Sequence, residues 1–191
     1  PLASPGAKTL LLTGAAFGAI FGVLDVALPA FAVERESPGA SGLLLAALSP
    51  GVVAGGYLYG RRAQLRAPGH RYRGLCLLAA GGLVPLAFAD SIPALLALTA
   101  IAGAAFAPVT TCQWALIDVV APAGTAVETT SWLTTAYLAG GVTGTAAGAF
   151  AAQHASPSTA FWLAVGIAVI AAAIATNRRS TLLPPVEKVA T

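Results

Sequence analysis

Long apolar segments, separated by short polar or charged ones, run through the whole chain. None of them shows the strict alternation of polar and apolar residues that is typical of a barrel strand. A membrane-spanning helix needs about 20 apolar residues to cross about 30 Å of hydrocarbon, and lipid admits only helices and closed barrels. We therefore predict an all-α membrane protein with six transmembrane helices, at residues 9–33, 42–60, 74–89, 93–119, 126–152 and 159–176.

The composition supports this class of protein. Hydrophobic residues make up 57% of the 191 residues and charged residues 9%, and the mean hydropathy is +0.81. A soluble domain carries about 25% charged residues, so a disordered chain and an ordinary water-soluble enzyme are excluded. Cys76 and Cys112 fall inside apolar segments with no His or second Cys at ligand spacing, so we predict no disulfide, metal or cofactor.

The distribution of basic residues predicts the orientation. A net charge of +3 and a pI of about 9.2 would also fit a nucleic-acid partner, but most Lys and Arg lie between apolar segments, where membrane orientation explains them better. With six spans, nine basic residues share one side and only Arg35 lies on the other. We therefore predict a multi-pass protein of the cell membrane, with no nucleic-acid partner and with both termini in the cytoplasm. The nine are Lys8, Arg61, Arg62, Arg66, Arg71, Arg73, Arg178, Arg179 and Lys188.

The chain reads as one six-helix domain over residues 1–191. Its longest connection is a basic cytoplasmic loop at 61–73, and residues 178–191 read as a loose cytoplasmic tail. The chain begins at Pro1 and contains no Met, so we expect a processed form or a fragment of a longer protein.

Glycines recur every four residues in several of the predicted helices. In lipid, helices gain little by burying apolar surface against each other, so close approach at small residues matters more. We interpret these glycines as helix-packing positions, with a direct role in lining a pathway as the alternative. The two longest series are Gly14, Gly18, Gly22 in the first span and Gly140, Gly144, Gly148 in the fifth.

Asp25 is the only acidic residue deep inside a predicted span. A carboxylate near the bilayer centre costs about 2.5–3.5 kcal/mol on insertion scales. Because Asp25 follows Gly18 by seven residues, the two share nearly the same helix face. The residue either lines a substrate or proton pathway, or it is a structural carboxylate near the outer surface before Pro29.

The fourth and fifth spans carry further polar and aromatic residues. Thr110, Gln113 and Trp114 follow Pro108 and form a stripe, which fits either a binding surface or an interhelical hydrogen-bond cluster. Glu128 and Trp132 share a face of the fifth span, opposite its glycines. Glu128 also lies near the start of that helix, where a carboxylate favours the positive helix end, so a gating role and a structural role both remain open.

One short motif points to an enzyme. Residues Gly39 to Gly42 match the GxSG pattern of rhomboid proteases, which also have about six spans, with Ser41 as the nucleophile. Such an enzyme needs a His base within hydrogen-bond reach of the Ser. The candidates are His70, predicted on the opposite side of the membrane, and His154. Ser41 is also well placed as a helix N-cap, so an intramembrane serine protease is the least favoured interpretation.

The arrangement resembles one half of a major facilitator superfamily transporter. More narrowly, three stretches resemble the carboxy-terminal half of actinobacterial drug and sugar efflux permeases: Leu24–Phe31, Gly56–Arg62, and Gly124–Gly148 with its Glu128 and Trp132. The resemblance covers about residues 9–176. It implies two inverted three-helix repeats, with the first and fourth spans lining a central cavity and an amino-terminal six-helix half as the partner.

The resemblance further implies secondary active transport by alternating access. We expect proton-coupled efflux of a small molecule, an antiport, with Asp25 as the protonation or substrate site and no enzyme activity. Thr110, Gln113, Trp114, Glu128 and Trp132 are the candidate pathway residues, and Arg61 with Arg62 is the candidate cytoplasmic gate. The alternative is a standalone six-helix membrane protein that acts through oligomeric association.

Overall fold

The structure, a computed structural model, describes residues 4–62 and 68–182. Within these ranges it contains α-helices and short 3-10 turns but no strand, so the prediction of an all-helical chain is confirmed. The 3-10 turns lie at Pro38–Ala40, Val84–Phe88 and Arg179–Leu182. The α-helices are α1 (Pro5–Glu34), α2 (Ser41–Ala46), α3 (Leu48–Arg62), α4 (Pro68–Leu83), α5 (Ile92–Val120), α6 (Ala126–His154) and α7 (Pro157–Asn177).

Four helical segments of the described chain are long and apolar enough to cross a membrane: α1, α5, α7 and the segment Pro38–Arg61, which contains α2 and all of α3 except its last residue. These segments have 21 to 30 residues, which suits a hydrocarbon core about 30 Å thick. Helix α4 is shorter, with 16 residues, and α6 is rich in Thr and Gly. That these four segments, and α4 and α6 with them, cross a bilayer stays a prediction.

Serine and proline together begin three of the long helices. Ser4, Ser91 and Ser156 are the N-caps of α1, α5 and α7, and each side chain accepts a hydrogen bond from an amide of the first turn. A proline follows within the first two helical positions of each, where its missing N–H costs nothing. These local signals start α1, α5 and α7 close to where the apolar segments begin.

The second predicted span, 42–60, is interrupted and is not one continuous helix. The backbone leaves the α-helical pattern at Ala47, between α2 and α3. Pro50 explains the interruption, because it has no N–H for the carbonyl of Ala46 and its ring would collide with that carbonyl in a continuous helix.

The third predicted span, 74–89, and the loop before it also differ from the prediction. Helix α4 begins earlier, at Pro68, and ends at Leu83, where Pro85 stops the α-helix and a 3-10 turn follows. Both ends of the predicted loop 61–73 are therefore helical, and its central residues, 63–67, lie outside the described residues.

The first residues of the predicted loose tail are docked rather than loose. After α7, the turn Arg179–Leu182 packs against the start of α1. The Thr181 hydroxyl lies 3.1 Å from that of Thr9, and Leu182 is buried. The Ser4 hydroxyl also donates to the Val120 carbonyl over 2.9 Å, so the start of α1 joins the ends of α5 and α7. Residues 183–191 of the predicted tail lie outside the described residues.

Helix α1 is the best-buried helix of the bundle. It packs along α6 on one side and along α7 on another, while α5 packs against α3 and α4. Helices α4 and α7 also meet each other. Large side chains of α1, such as Phe17, Ile20, Leu24 and Leu28, are fully buried. The core is therefore built around one central helix, with α3 and α6 at the edges.

The glycine series bring α1 and α6 into backbone contact. A β-carbon on Gly140 or Gly144 would overlap the carbonyls of Ala15 and Ala19, and one on Gly148 would come within 3.0 Å of the Val23 backbone. In the reverse direction, β-carbons on Gly14, Gly18 and Gly22 would collide with Leu133, Tyr137 and Gly141. Later residues of α1 contact later residues of α6, so the two helices run parallel. Because each of these glycines lies against the facing helix, their role is in helix packing.

A second parallel pair, α3 with α5, is built in the same manner. Gly51 and Gly55 lie against the carbonyls of Ala100 and Ala104 so closely that β-carbons would overlap them. Pro108 has no N–H to donate to the Ala104 carbonyl four residues earlier, which leaves this oxygen free to meet Gly55. Since α1 and the α2–α3 segment are joined by a short connection, the two parallel pairs run in opposite directions.

Candidate functional site

Asp25 lies on the exposed side of α1 and lines a groove of about 550 Å³ between α1 and α6. The groove forms where glycines let the two backbones approach, at Gly18 and Gly22 of α1 and Gly141 of α6. Gly18 and Asp25 both line it, in agreement with their seven-residue spacing. Asp25 is therefore an accessible carboxylate beside a tight helix contact, and it is not sealed between helices.

Aromatic rings and a hydroxyl line the same groove as the carboxylate. Phe21 and Tyr137 both line the groove, with their ring centroids 6.1 Å apart, and the Phe21 ring continues to Phe106 at 4.6 Å. Thr145 adds a hydroxyl on the α6 side. Among the described residues that line the groove, Asp25 carries the one formal charge. A carboxylate and aromatic rings in one groove are suited to hold an organic cation, and the carboxylate can also exchange a proton.

The predicted stripe on α5 separates into buried and accessible residues. Gln113 is only 2% exposed and its amide nitrogen donates to the Tyr72 hydroxyl over 2.7 Å. The Thr110 hydroxyl donates within its own helix to the carbonyls of Phe106 and Ala107. Trp114 is 45% exposed. The interhelical hydrogen-bond alternative therefore applies to Gln113, while substrate contact by Gln113, Trp114 or Thr110 stays a prediction.

Tyr72 belongs to a buried polar cluster that the sequence analysis missed. Its hydroxyl donates to the Thr13 hydroxyl over 2.7 Å and accepts from Gln113, so the cluster joins α4, α1 and α5. All three side chains are at most 2% exposed. Tyr72 falls within the predicted basic loop 61–73. The signal that predicts otherwise is helical spacing, because Tyr72, Cys76 and Leu83 lie at i, i+4 and i+11 and are all buried.

Glu128 and Trp132, on the polar face of α6, lie far from the Asp25 groove along the helix. Glu128 is exposed in the first turn of α6, the position at which a carboxylate favours the helix end, and Trp132 is 42% exposed. Gly22 contacts Gly141, which places Asp25 near residue 144 of α6. Sixteen residues of helix, about 24 Å, therefore separate the levels of Glu128 and Asp25.

The candidate gate arginines lie at the end of α3. The Arg61 guanidinium is 5.7 Å from the ring centroid of Tyr57, and the side chain is exposed. The Arg62 side chain lies outside the described residues. A role for either arginine in a gate stays a prediction.

The protease interpretation gains no support from the described residues. Ser41 is the first residue of α2. His154 stacks on Phe150 with ring centroids 4.2 Å apart, and its Nδ1 lies 3.0 Å from the Phe150 carbonyl. The His70 side chain lies outside the described residues, so the two His candidates provide no observed base for Ser41.

Comparison with protein-family models, with curated proteins and with solved structures finds no match for this chain.

Proposed function

We propose that this chain is one half of a secondary transporter of the major facilitator type, built from two inverted three-helix repeats. The first repeat would be α1, the α2–α3 segment and α4, and the second would be α5, α6 and α7. In this proposal all six helical segments cross the membrane, the basic residues face the cytoplasm, and an amino-terminal six-helix half completes the substrate path.

The pairing of the helices supports the repeat. In the two repeats α1 is equivalent to α5, α3 to α6, and α4 to α7. The α1–α6 pair is therefore equivalent to the α5–α3 pair, and the α1–α7 pair to the α5–α4 pair. All four pairs are in contact. Individual positions follow the same exchange: a β-carbon on Gly18 would meet the Tyr137 carbonyl and the Gly141 nitrogen, and one on Gly103 would meet the Leu48 carbonyl and the Val52 nitrogen.

The centre of the bundle supports it as well. Phe21 of α1 and Phe106 of α5 are separated by the same number of residues as Gly18 and Gly103, so they are equivalent positions of the two repeats. Their rings touch, with centroids 4.6 Å apart. When a twofold axis relates two repeats, equivalent residues meet each other at that axis. Because α1 and α5 run in opposite directions, the axis that relates them is perpendicular to the helices and would lie in the membrane plane, as an inverted repeat requires.

The Asp25 groove is the observation that carries the transport proposal. A carboxylate within a membrane helix is costly, and a protein that keeps one exposed to a groove beside aromatic rings has a use for its charge. We propose that Asp25 binds the proton and releases it when the small-molecule substrate binds, which couples efflux to the proton gradient. Thr110, Trp114 and Trp132 are candidate contacts from neighbouring helices.

The test is proton-coupled transport in inverted membrane vesicles that contain the full-length protein. A panel of amphipathic cations is added and the dissipation of the pH gradient is followed by a fluorescent pH probe. We expect Asp25→Asn to abolish the response to any compound that the wild type transports. Asp90→Asn, which removes an exposed carboxylate outside the groove, is the matched control and should respond like the wild type. A wild-type response from Asp25→Asn would remove Asp25 from the mechanism.

A standalone membrane protein that acts by oligomeric association is the second candidate. The observation in its favour is the edge position of α6, whose outer side exposes Val127, Leu138, Val142 and Phe150 by 63–83% of their surface. The same surface would meet the partner half in the transporter proposal. Native mass spectrometry of the purified chain separates the two: a stable dimer or larger assembly of this chain alone favours association.

A further inference from the structure

A second groove, of about 710 Å³, lies where α3 and α4 both pack against α5 and leave a channel between them. Small residues form its floor, among them Gly55 of α3 and Ala104 and Ala105 of α5. Leu58, Leu75, Leu78 and Ile101 add apolar walls. The channel is therefore an apolar surface recess that is open along its side.

The polar side chains of this groove are gathered at one end. Arg71, in the first turn of α4, lines the groove together with Tyr59 near the end of α3, and its guanidinium is 5.2 Å from the Tyr59 ring centroid. Arg61, near the end of α3, and Arg73, near the start of α4, are close to this end of the groove in sequence and are exposed. The positive charge at this end would attract an anion, while the rest of the groove offers only apolar contact.

The dimensions of the groove match one leaflet of a bilayer. The groove follows α4 from Arg71 to Gly82, a rise of eleven residues, which is about 16 Å along the helix axis. Half of a hydrocarbon core about 30 Å thick is about 15 Å. A molecule with its charged group at Arg71 and an extended acyl chain along the groove would reach the middle of the membrane.

We propose that this groove is a binding site for an anionic phospholipid of the cytoplasmic leaflet. The phosphate lies at Arg71, and one acyl chain lies along the floor formed by Gly55, Ala104 and Ala105. The inference depends on the cytoplasmic placement of the basic residues but not on transport, so a protein that failed every transport assay would still bind the lipid. Charge at one end, leaflet-length apolar walls and a side opening to the bilayer together favour a lipid over a soluble substrate.

Native mass spectrometry of the detergent-purified protein tests this site. The protein is titrated with phosphatidylglycerol and with phosphatidylcholine, and the fraction with one bound lipid is measured. We expect tighter binding of phosphatidylglycerol, and we expect Arg71→Gln to weaken that binding about fivefold, which is the contribution of one basic residue to binding an anionic lipid. Arg73→Gln, on the opposite side of the same helix and outside the groove, should stay within about twofold of the wild type.

A second variant tests the acyl-chain part without touching a charge. Gly74 lines the groove and has open space where a β-carbon would stand, so Gly74→Phe can add a ring at the channel without a clash at its β-carbon. It should remove the preference for phosphatidylglycerol. Gly166→Phe, at an equally open position on α7, should keep it.

Three results would overturn the proposal. Equal binding of the two lipids would show that no headgroup is recognised. Equal losses in Arg71→Gln and Arg73→Gln would indicate general attraction to a basic surface instead of a site at Arg71. Unchanged lipid binding in Gly74→Phe, together with a shift from dimer to monomer, would show that a second copy of the chain covers the groove.

Discussion

Replacing Tyr72 with Phe tests the buried cluster that joins α1, α4 and α5. The substitution keeps the ring and its packing but removes the hydroxyl, which donates to Thr13 and accepts from Gln113 over 2.7 Å each. Thr13 keeps bonds to carbonyls of its own helix, at Thr9 and Leu10. Gln113 is 2% exposed and loses the acceptor for its amide nitrogen, so most of the cost falls there.

The size of the effect depends on the reference state. A buried donor left without a partner costs about 1–3 kcal/mol in a soluble protein. Hydrogen bonds between membrane helices average only about 0.6 kcal/mol, with a maximum of about 1.7, because helices that have come apart in the membrane also find partners. Two lost bonds and one stranded amide therefore predict a loss of about 1.5 kcal/mol in the free energy of unfolding for Tyr72→Phe.

Equilibrium unfolding in mixed micelles, with increasing amounts of a denaturing detergent, measures this change. The matched control is Tyr57→Phe, since Tyr57 is 65% exposed and its ring, which Arg61 approaches, is retained. The control should stay within about 0.5 kcal/mol of the wild type. If Tyr72→Phe also stays within that margin, the cluster contributes nothing to stability and the reasoning fails.

A double-mutant cycle separates the cluster from general effects on packing. Removing both partners of a buried hydrogen bond is less costly than stranding one of them. Tyr72→Phe combined with Gln113→Leu should therefore cost at least about 0.6 kcal/mol less than the sum of the single variants. Additive costs would contradict the assigned bond.

Two further predictions concern packing and orientation. Gly144→Leu should prevent the protein from being purified as a folded species, because a β-carbon there overlaps the Ala19 carbonyl, whereas Gly166→Leu should behave like the wild type on size-exclusion chromatography. With Arg61→Cys and Glu36→Cys, a membrane-impermeant maleimide should label the first only from the cytoplasmic side and the second only from outside; the opposite pattern would contradict the orientation read from the basic residues.

The helices themselves could be predicted because the length of an apolar segment determines whether a helix fits the membrane. The breaks could have been predicted as well, since Pro50 and Pro85 lie four and two residues after the helix ends at Ala46 and Leu83. The glycine series predicted close packing because few other residues permit it, and the Gly144 contact with Ala19 illustrates why.

The burial of single polar residues could not be predicted in the same way. Gln113 and Trp114 are adjacent in sequence and point about 100° apart on a helix, so one is buried and the other is accessible. Only the positions of α1 and α4 decide which of them faces protein. Tyr72 was missed for a related reason: its arginine neighbours, Arg71 and Arg73, favour a loop, while its own side chain belongs to a buried helix face.

The Tyr72 cluster also distinguishes two ways in which the proposed transporter half would move. About twelve residues, or about 18 Å, separate Thr13 from Asp25 along α1, so the cluster is remote from the proposed proton site itself. If the half rocks as a rigid body, the cluster stays intact through the cycle and Tyr72→Phe lowers stability without changing the transport rate per folded molecule. If α1 slides past α4 and α5 during transport, the cluster breaks in each cycle, and its removal changes that rate. We expect the first result, because α1 is also bonded to the end of α5 through Ser4 and Val120, and to the turn after α7 through Thr9 and Thr181, so sliding would break these bonds as well. A changed rate at an equal folded fraction would refute rigid-body rocking.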